Sequence, residues 1–265
     1  MSTTMITGAS SGIGRELARA FARRGHDLIL TARTTSRLEE LREELRQAHG
    51  SDVTTITADL AREDGPRALL RALNDAGHEV DVLVNNAGVA NPGAFDEVPL
   101  EEVLAEVRLD VVAVTHLARA LLPGMRRRGR GGVMNVASTA AFQPGPGMAV
   151  YYASKAFVLH LSEALAEEVR GSGVRVTALC PGPTVSEFHA RADMEETRLV
   201  RLVPMQDAAH VAEAGVRAFE RGQHVFVPGT SNRAGARLAR LAPRPLVARL
   251  VAWLHRPARG DDRGR

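Results

Sequence analysis

Length, composition and charge narrow the function classes first. The chain has 265 residues, of which 45% are hydrophobic and only 4% aromatic. This length suits a single α/β domain whose core is built from aliphatic side chains. The 34 basic residues are balanced by 31 acidic ones, and basic and acidic residues are spread through the same segments of the chain. That pattern argues against a nucleic-acid-binding face, so we expect no nucleic-acid partner.

Cysteine usage and hydropathy bear on disulfides, metal sites and the cellular location of the protein. The single cysteine, Cys180, excludes an internal disulfide and a site with several cysteine ligands. No group of His, Asp and Glu residues has metal-ligand spacing, so we expect no metal. No basic and apolar leader precedes residue 7, and no apolar run approaches the roughly 18 residues of a membrane span. We expect a cytoplasmic protein.

Short apolar runs alternate with amphipathic stretches along most of the chain. Continuous apolar runs are typical of strands covered by helices on both faces. The alternation predicts a doubly wound α/β parallel sheet of about seven strands, a Rossmann fold, in one domain of residues 1–230. The predicted strands are 3–7, 27–32, 53–58, 81–85, 132–137, 174–180 and 223–227, and the predicted helices are 13–24, 36–48, 65–76, 100–128, 151–170 and 207–221.

The first chemical motif, Thr-Gly-Ala-Ser-Ser-Gly-Ile-Gly over residues 7–14, joins the first strand to the first helix. A pyrophosphate needs backbone N–H donors at a helix N-terminus and no Cβ in the way, which glycines provide. The motif therefore predicts a dinucleotide site. The residues expected to hold the cofactor here are Gly8, Ser10, Ser11, Gly12, Ile13 and Gly14.

A second chemical signal is the placement of the chain's one lysine. Lys155 stands among 33 arginines, and the only two tyrosines, Tyr151 and Tyr152, lie within four residues of it. Because Lys has a tunable ammonium that Arg lacks, we infer that position 155 needs an ammonium. Tyr151 and Lys155 share a helical face. An ammonium lowers the pKa of a nearby phenol, which suits proton transfer at a carbonyl or alcohol oxygen.

The glycine motif and five further motifs, in order, resemble the short-chain dehydrogenase/reductase family over roughly residues 3–230. The glycine spacing is that family's Gly-x-x-x-Gly-x-Gly rather than Gly-x-Gly-x-x-Gly. The other matches are Asp59-Leu60 after the third strand, Asn85-Asn86-Ala87-Gly88 after the fourth, Ser138 after the fifth, Tyr151-x-x-x-Lys155 in the next helix, and Pro181-Gly182-Pro183-Thr184 after the sixth.

The resemblance implies a nicotinamide cofactor and a small-molecule carbonyl or alcohol substrate. It implies that Tyr151 is the general acid or base, that Lys155 lowers the pKa of Tyr151, and that Ser138 orients the substrate oxygen. Tyr152, three residues from Lys155, is the alternative acid. The further cofactor-binding residues that the resemblance implies are Asp59, Leu60, Asn86, Ala87, Gly88, Pro181, Gly182 and Thr184, together with Tyr151 and Lys155.

The end of the second strand bears on the choice between NAD and NADP. An acidic residue there would bind the ribose hydroxyls and repel a 2′-phosphate. This chain has Ala32 followed by Arg33, and Arg33 can pair with the phosphate. The alternative is that Arg33 is an ordinary exposed arginine of an Arg-rich chain. We predict an NADP(H) preference.

One position departs from the family's pattern. Counting back from the Leu-Pro-Gly-Met at 122–125 places Asp110 where the family usually has an Asn, which is thought to hold a water beside the catalytic lysine. An Asp there adds a negative charge within reach of Lys155, which should raise the pKa of Tyr151. The hypothesis is an active enzyme in which Asp110 holds the relay water and the alkaline limb of alcohol oxidation lies at higher pH than with Asn. Its rival is a reduced or lost activity.

Residues 231–265 form a basic extension with nine Arg and two Asp. Two short amphipathic stretches, 233–241 and 246–254, predict helices, and residues 260–265 are expected to be disordered. Leu238, Leu241, Leu246, Val247, Leu250 and Trp253 are expected to pack on the body or in a homo-oligomer. The alternative for these six residues is attachment to a membrane surface.

Substrate identity is the weakest part of the sequence signal. Residues 141–150 and 185–204 should line the substrate site with Phe142, Met148, Val150, Phe188 and Met194, which favours an apolar carbonyl compound. We expect an NADP(H)-dependent oxidoreductase that assembles as a dimer or tetramer. The alternative function is a catalytically weak NADP(H)-binding protein of the same fold, acting as a regulator or partner.

Overall fold

A computed structural model describes residues 2–185 and 197–256. Its centre is a seven-stranded sheet in the order β3-β2-β1-β4-β5-β6-β7, with every neighbouring pair parallel. The predicted doubly wound sheet is confirmed. The strands are β1 (Thr3–Thr7), β2 (Asp27–Ala32), β3 (Val53–Thr57), β4 (Val82–Asn85), β5 (Gly132–Val136), β6 (Arg175–Leu179) and β7 (Val225–Phe226).

Helices cover both faces of this sheet, which is why its strands are apolar on both sides. On one face, Phe21, Leu38 and Phe219 belong to one buried cluster, and on the other Leu69 and Met125 belong to a second. The described helices are α1 (Gly12–Ala22), α2 (Thr35–His49), α3 (Gly65–Asp75), α4 (Leu100–Val107), α5 (Val114–Arg128), α6 (Ala149–Glu168), α7 (Arg198–Leu202), α8 (Ala208–Glu220), α9 (Thr230–Leu241) and α10 (Arg244–His255).

The stretch 100–128, predicted as one helix, is instead interrupted. A π-helical turn, Arg108–Ala113, lies between α4 and α5. Such wide turns insert an extra residue and change the direction in which side chains point. Asp110 lies within this turn and is fully buried. At the far end, α5 stops at Arg128 because Gly129 takes a left-handed conformation with φ 65°.

The sheet order creates a crevice between β1 and β4, where the chain changes direction across the sheet. In doubly wound folds, ligands bind at this switch point, at the carboxyl ends of the strands. Below it, a buried chain of hydrogen bonds runs from Asn85 on β4 through Asn135 on β5 to Ser162 on α6, with distances of 2.9 Å at both steps. These bonds fix α6 against the sheet and so place Tyr151 and Lys155.

The predicted helical extension is present as α9 and α10. Val247 and Val251 of α10 are buried in a cluster with Met148 and Tyr152 of the body. The backbone N–H of Arg198 donates to the carbonyl of Arg256. The guanidinium of Arg198 lies 4.9 Å from the Trp253 ring centroid. Of the six apolar residues expected to pack, Val247 is buried, whereas Leu238, Leu241, Leu246, Leu250 and Trp253 are exposed in the single chain.

Candidate active site

One cavity of about 490 Å³ lies at the carboxyl ends of the strands. It brings together every residue that the sequence assigned to the cofactor. Those lining residues are Gly8, Ser10, Ser11, Gly12, Ile13, Gly14, Arg33, Asp59, Leu60, Asn86, Ala87, Gly88, Tyr151, Lys155, Pro181, Gly182 and Thr184. Ser138 lines the same cavity, whereas Asp110 lies behind its wall.

The glycine loop can follow its path and pack closely only because side chains are missing there. Gly8 and Gly12 have φ of 67° and 54°, a region that favours glycine. A Cβ on Gly14 would lie 2.3 Å from the carbonyl oxygen of Gly8. No side chain caps the N-terminus of α1, so its first N–H groups face the loop without a side-chain acceptor. This is a cradle that a phosphate group fits.

Hydrogen bonds hold the loop after β4 against the glycine loop. The Thr7 hydroxyl accepts from the backbone N–H groups of Asn86 and Ala87, at 3.0 Å each. The Asn86 side-chain amide donates to the carbonyls of Thr7 and Gly8 at 2.9 and 3.2 Å. The two loops that floor the cavity are therefore fixed relative to each other.

Ser138, Tyr151 and Lys155 meet at one wall of the cavity. The side chains of Ser138 and Tyr151 are hydrogen-bonded to each other, and the Ser138 hydroxyl also accepts from the N–H of Ala140 at 3.1 Å. The Lys155 ammonium lies 5.4 Å from the centroid of the Tyr151 ring. Burial raises the pKa of Tyr151, while Lys155 and the Ser138 hydrogen bond act to lower it.

Asp110 contacts Lys155 directly. Its Oδ2 lies 2.8 Å from Lys155 Nζ, and its Oδ1 accepts from the N–H of Val89 at 3.0 Å. Burial lowers the pKa of Lys155, but Asp110 and Tyr151 outweigh burial and the net direction is upward. A Cβ on Gly88 would lie 3.0 Å from Lys155 Nζ and 3.2 Å from Asp110 Oδ2. Glycine at position 88 therefore leaves space for the ion pair.

A second buried carboxyl group, Glu106, lies close to this ion pair. Only 1% of Glu106 is exposed, and its Oε2 accepts from the backbone and side-chain N–H groups of Asn91 at 3.1 and 3.0 Å. Its Oε1 is buried without a described hydrogen-bond partner. Burial, reinforced by the charge of Asp110, raises the pKa of Glu106 to about 7.

The end of the cavity beside β2 and β3 carries Arg33, the residue predicted to select the cofactor. Arg33 and Thr34 follow β2, line the cavity and are exposed. Ala32 stands at the strand end, where an acidic residue would oppose a 2′-phosphate. Asp59, after β3, accepts from the N–H of Ala61 at 3.0 Å and so shapes the turn beside them.

The opposite end of the cavity is lined by Met148, Leu199, Tyr152, Gln143 and His255. The Tyr152 hydroxyl lies 2.7 Å from Nε2 of His255. Among the apolar residues that we expected on this side, Met148 does line the cavity. Phe142 instead lies under the Arg240 guanidinium, 4.9 Å from it, and Val150 is not among the lining residues. Phe188 and Met194 lie outside the described residues, as do residues 260–265.

Comparison with known proteins decides the family. A family model described as short chain dehydrogenase matches residues 2–197. This chain belongs to the short-chain dehydrogenase family. An uncharacterized oxidoreductase of Myxococcus xanthus is 34% identical over 244 residues, covering 92% of this chain and 94% of that protein. The chain is an oxidoreductase of this family.

Solved structures agree with the fold of this short-chain dehydrogenase. A short-chain dehydrogenase from Sphingobium yanoikuyae in complex with NADPH matches with a TM-score of 0.82 and 35% identity, covering 100% of both chains. The bulky-bulky ketone specific alcohol dehydrogenase from Comamonas testosteroni matches with a TM-score of 0.76 and 32% identity, covering 91% of this chain and 92% of its own.

Two features of this short-chain dehydrogenase were missed by sequence reasoning. Glu106 precedes Asp110 by four residues, so the two acids share the helix face that also carries the buried Ala113 and Leu117. Two acidic residues on an apolar helix face were the sequence signal that could have predicted this pair of buried carboxyl groups. His255 lies in a segment without a family motif, so nothing in the sequence pointed to the cavity. Among the described residues, no group of three His, Cys, Asp or Glu could hold a metal ion.

Proposed function

We propose that this short-chain dehydrogenase transfers a hydride between NADP(H) and a carbonyl compound or secondary alcohol. The observation that carries the proposal is the meeting of Ser138, Tyr151 and Lys155 at one wall of the cavity that the glycine loop floors. A proton donor, a cation that tunes it and a hydroxyl that orients an oxygen are what carbonyl reduction requires.

The residues of the cavity fit a dinucleotide. The loop around Gly8 and Gly12 and the N-terminus of α1 would hold the pyrophosphate, Asp59 and Leu60 the adenine side, and Pro181, Gly182 and Thr184 the nicotinamide side. When bound, the nicotinamide ring supplies or accepts the hydride. The floor at Asn86, Ala87 and Gly88 would support the cofactor against β4.

Proton transfer falls to Tyr151. In the reduction direction, its hydroxyl donates a proton to the substrate oxygen, and in the oxidation direction its phenolate removes one. Lys155 stabilises that phenolate by its positive charge. Ser138, hydrogen-bonded to Tyr151, donates to the same substrate oxygen and orients it. Asp110 keeps Lys155 protonated through their ion pair.

The preference for NADP(H) rests on Arg33. Arg33 lines the cavity beyond Ala32, and no acid at position 32 opposes a 2′-phosphate. The NADPH bound to the Sphingobium yanoikuyae relative supports the same choice. An exposed arginine with five N–H donors suits bidentate pairing with a phosphate.

The substrate class that we propose is a bulky, largely apolar ketone or the matching alcohol. Met148 and Leu199 give the substrate side apolar walls, and the Comamonas testosteroni relative is described as specific for bulky-bulky ketones. We place the oxidoreductase domain at residues 1–230 and a basic extension at 231–265, in a homo-oligomer. No described helix is long and apolar enough to cross a membrane.

A panel assay tests this function. Purified protein is incubated with NADPH or NADH and a set of aliphatic and aryl ketones, and cofactor oxidation is followed by absorbance. We expect turnover with NADPH and a preference for ketones with two bulky substituents. NADPH binding without turnover on any ketone or alcohol would instead favour the alternative of a catalytically weak cofactor-binding protein.

A further inference from the structure

Three polar side chains from three different elements meet on the substrate side of the cavity. Gln143 follows the 3-10 helix Thr139–Phe142, Tyr152 lies on α6, and His255 is the last residue of α10. Gln143 is hydrogen-bonded to Tyr152, and the Tyr152 hydroxyl lies 2.7 Å from His255 Nε2. All three line the cavity. They form a connected polar trio in a wall whose other described residues, Met148 and Leu199, are apolar.

The trio lies beside the proposed acid. The rings of Tyr151 and Tyr152 are edge to face with centroids 6.0 Å apart. Tyr152 is 7% exposed and packs with Met148, Val247 and Val251. A Cβ on Gly145 would lie 2.1 Å from the Tyr152 ring, so the ring fits against bare backbone. Such packing holds the hydroxyl in one place before any ligand arrives, which lowers the entropic cost of binding.

The trio keeps donors after its internal bonds are made. If Tyr152 donates to His255, then Gln143 donates to Tyr152, and one Gln143 N–H and the His255 Nδ1–H remain. If His255 donates to Tyr152, then Tyr152 donates to the Gln143 carbonyl, and both Gln143 N–H groups remain. Either arrangement leaves two N–H groups that the bonds within the trio do not use. Burial lowers the pKa of His255, which favours the neutral imidazole and an uncharged trio.

We propose that Gln143, Tyr152 and His255 form a second polar subsite that accepts an uncharged acceptor oxygen of the substrate. The substrate is then a ketone with a second neutral oxygen function, such as an ester or another carbonyl, a few bonds from the reacting carbonyl. This inference rests on the proposed ketone reduction. It also gives α10 a role, because the extension supplies one of the three groups.

Matched ketones test the subsite. Methyl 4-oxo-4-phenylbutanoate and methyl 5-oxo-5-phenylpentanoate each carry a remote ester on a ketone with two bulky substituents, and the matching ketones without the ester are 4-methyl-1-phenyl-1-hexanone and 5-methyl-1-phenyl-1-heptanone. The readout is the ratio of kcat/KM for each keto ester to that for its isostere. Because the ratio compares two substrates on one protein, it does not depend on the fraction of active enzyme. The two chain lengths sample two distances from the reacting carbonyl.

We expect at least one keto ester to show a ratio that falls about tenfold in His255→Leu and in Tyr152→Phe, the size of one lost hydrogen bond. His255→Asn, which keeps an N–H donor, should restore part of the ratio. His160→Leu removes an exposed histidine outside the cavity and should leave the ratio as in the wild type. NADPH titration checks that each variant is folded. If His255→Leu proves to be unfolded, the ratio measured for Tyr152→Phe alone decides whether the subsite exists.

Two failures are distinguishable. In the first, the ketones without the ester are turned over, and the ester ratio of both His255→Leu and Tyr152→Phe stays within twofold of the wild-type ratio. That result would overturn the subsite and leave the proposed function intact. Absence of turnover on all four ketones with either cofactor would contradict the proposed function itself.

Discussion

Lys155 Nζ lies 2.8 Å from Asp110 Oδ2, and both side chains are buried. The charge of Asp110 acts on Tyr151 as well, because it raises the pKa of that phenol, as Glu106 does, against the lowering by Lys155. Substituting Asp110 by Asn removes one negative charge. We expect alcohol oxidation, which needs the phenolate, to reach its plateau about one pH unit lower in Asp110→Asn.

The measurement is a pH–rate profile of alcohol oxidation for wild type beside Asp110→Asn. NADPH binding of both proteins provides the folding control. An unchanged rate with an unchanged apparent pKa would make Asp110 a spectator. A large loss of rate at every pH would show that the ion pair positions Lys155 rather than tuning Tyr151.

The two adjacent tyrosines offer a matched pair for identifying the acid. Tyr151→Phe removes the hydroxyl that meets Ser138 and Lys155, and we expect kcat to fall about a thousandfold. Tyr152→Phe removes only the hydroxyl that meets His255 and Gln143 and should cost far less on a plain ketone. Both variants should still bind NADPH. The reverse order of the two effects would make Tyr152 the acid.

Cofactor choice can be measured directly at Arg33. We expect wild type to bind NADPH at least tenfold more tightly than NADH, about 1.4 kcal/mol. Arg33→Ala should weaken NADPH binding and leave NADH binding nearly as it was, because the 2′-phosphate alone loses its partner. Nucleotide fluorescence titrations give both dissociation constants. Arg46→Ala, at the other end of α2, is the matched control, and equal NADPH and NADH affinities in wild type would contradict the assignment.

Glu106 links stability to pH. Its pKa is about 7 in the fold against an ordinary 4.5, so the folded state holds a proton that the unfolded state releases. The contribution of Glu106 to the free energy of unfolding is therefore complete below pH 4.5. It is lost as pH rises through about 7, by up to roughly 3 kcal/mol. Glu106→Gln cannot ionise but still accepts from Asn91. We expect the variant to keep more of its stability from pH 5 to 8.

Urea unfolding at pH 5, 6, 7 and 8 measures this difference. Wild type and Glu106→Gln should be similar at pH 5 and should separate as pH rises. Parallel curves for the two proteins would show that Glu106 titrates alike in the folded and unfolded states.

Much of the fold could be predicted because its signals are local. The predicted strand 27–32 matches β2, and 132–137 exceeds β5 by one residue. A strand covered by helices on both faces can be recognised in the sequence as a short apolar run, independently of the neighbouring segments. The glycine loop and the Tyr-Lys pair were equally local, since their chemistry requires fixed spacings along the chain.

The missed features depend on contacts between distant segments. Residues 108–113, which form the π-helical turn, contain neither glycine nor proline, so no local residue marked the change of helix type. His255 reaches the cavity only because Val247 and Val251 bury α10 against Met148. Periodicity shows that a helix has an apolar face, but it does not show which surface that face meets.

The cavity is assembled from both ends of the described chain, since Gly8 and His255 line the same space. A ribosome adds about 5–20 residues each second, so the glycine loop emerges tens of seconds before α10. A chain that ends before α10 keeps the glycine loop but lacks His255, so the far end of the cavity stays incomplete until the last described helix has been made.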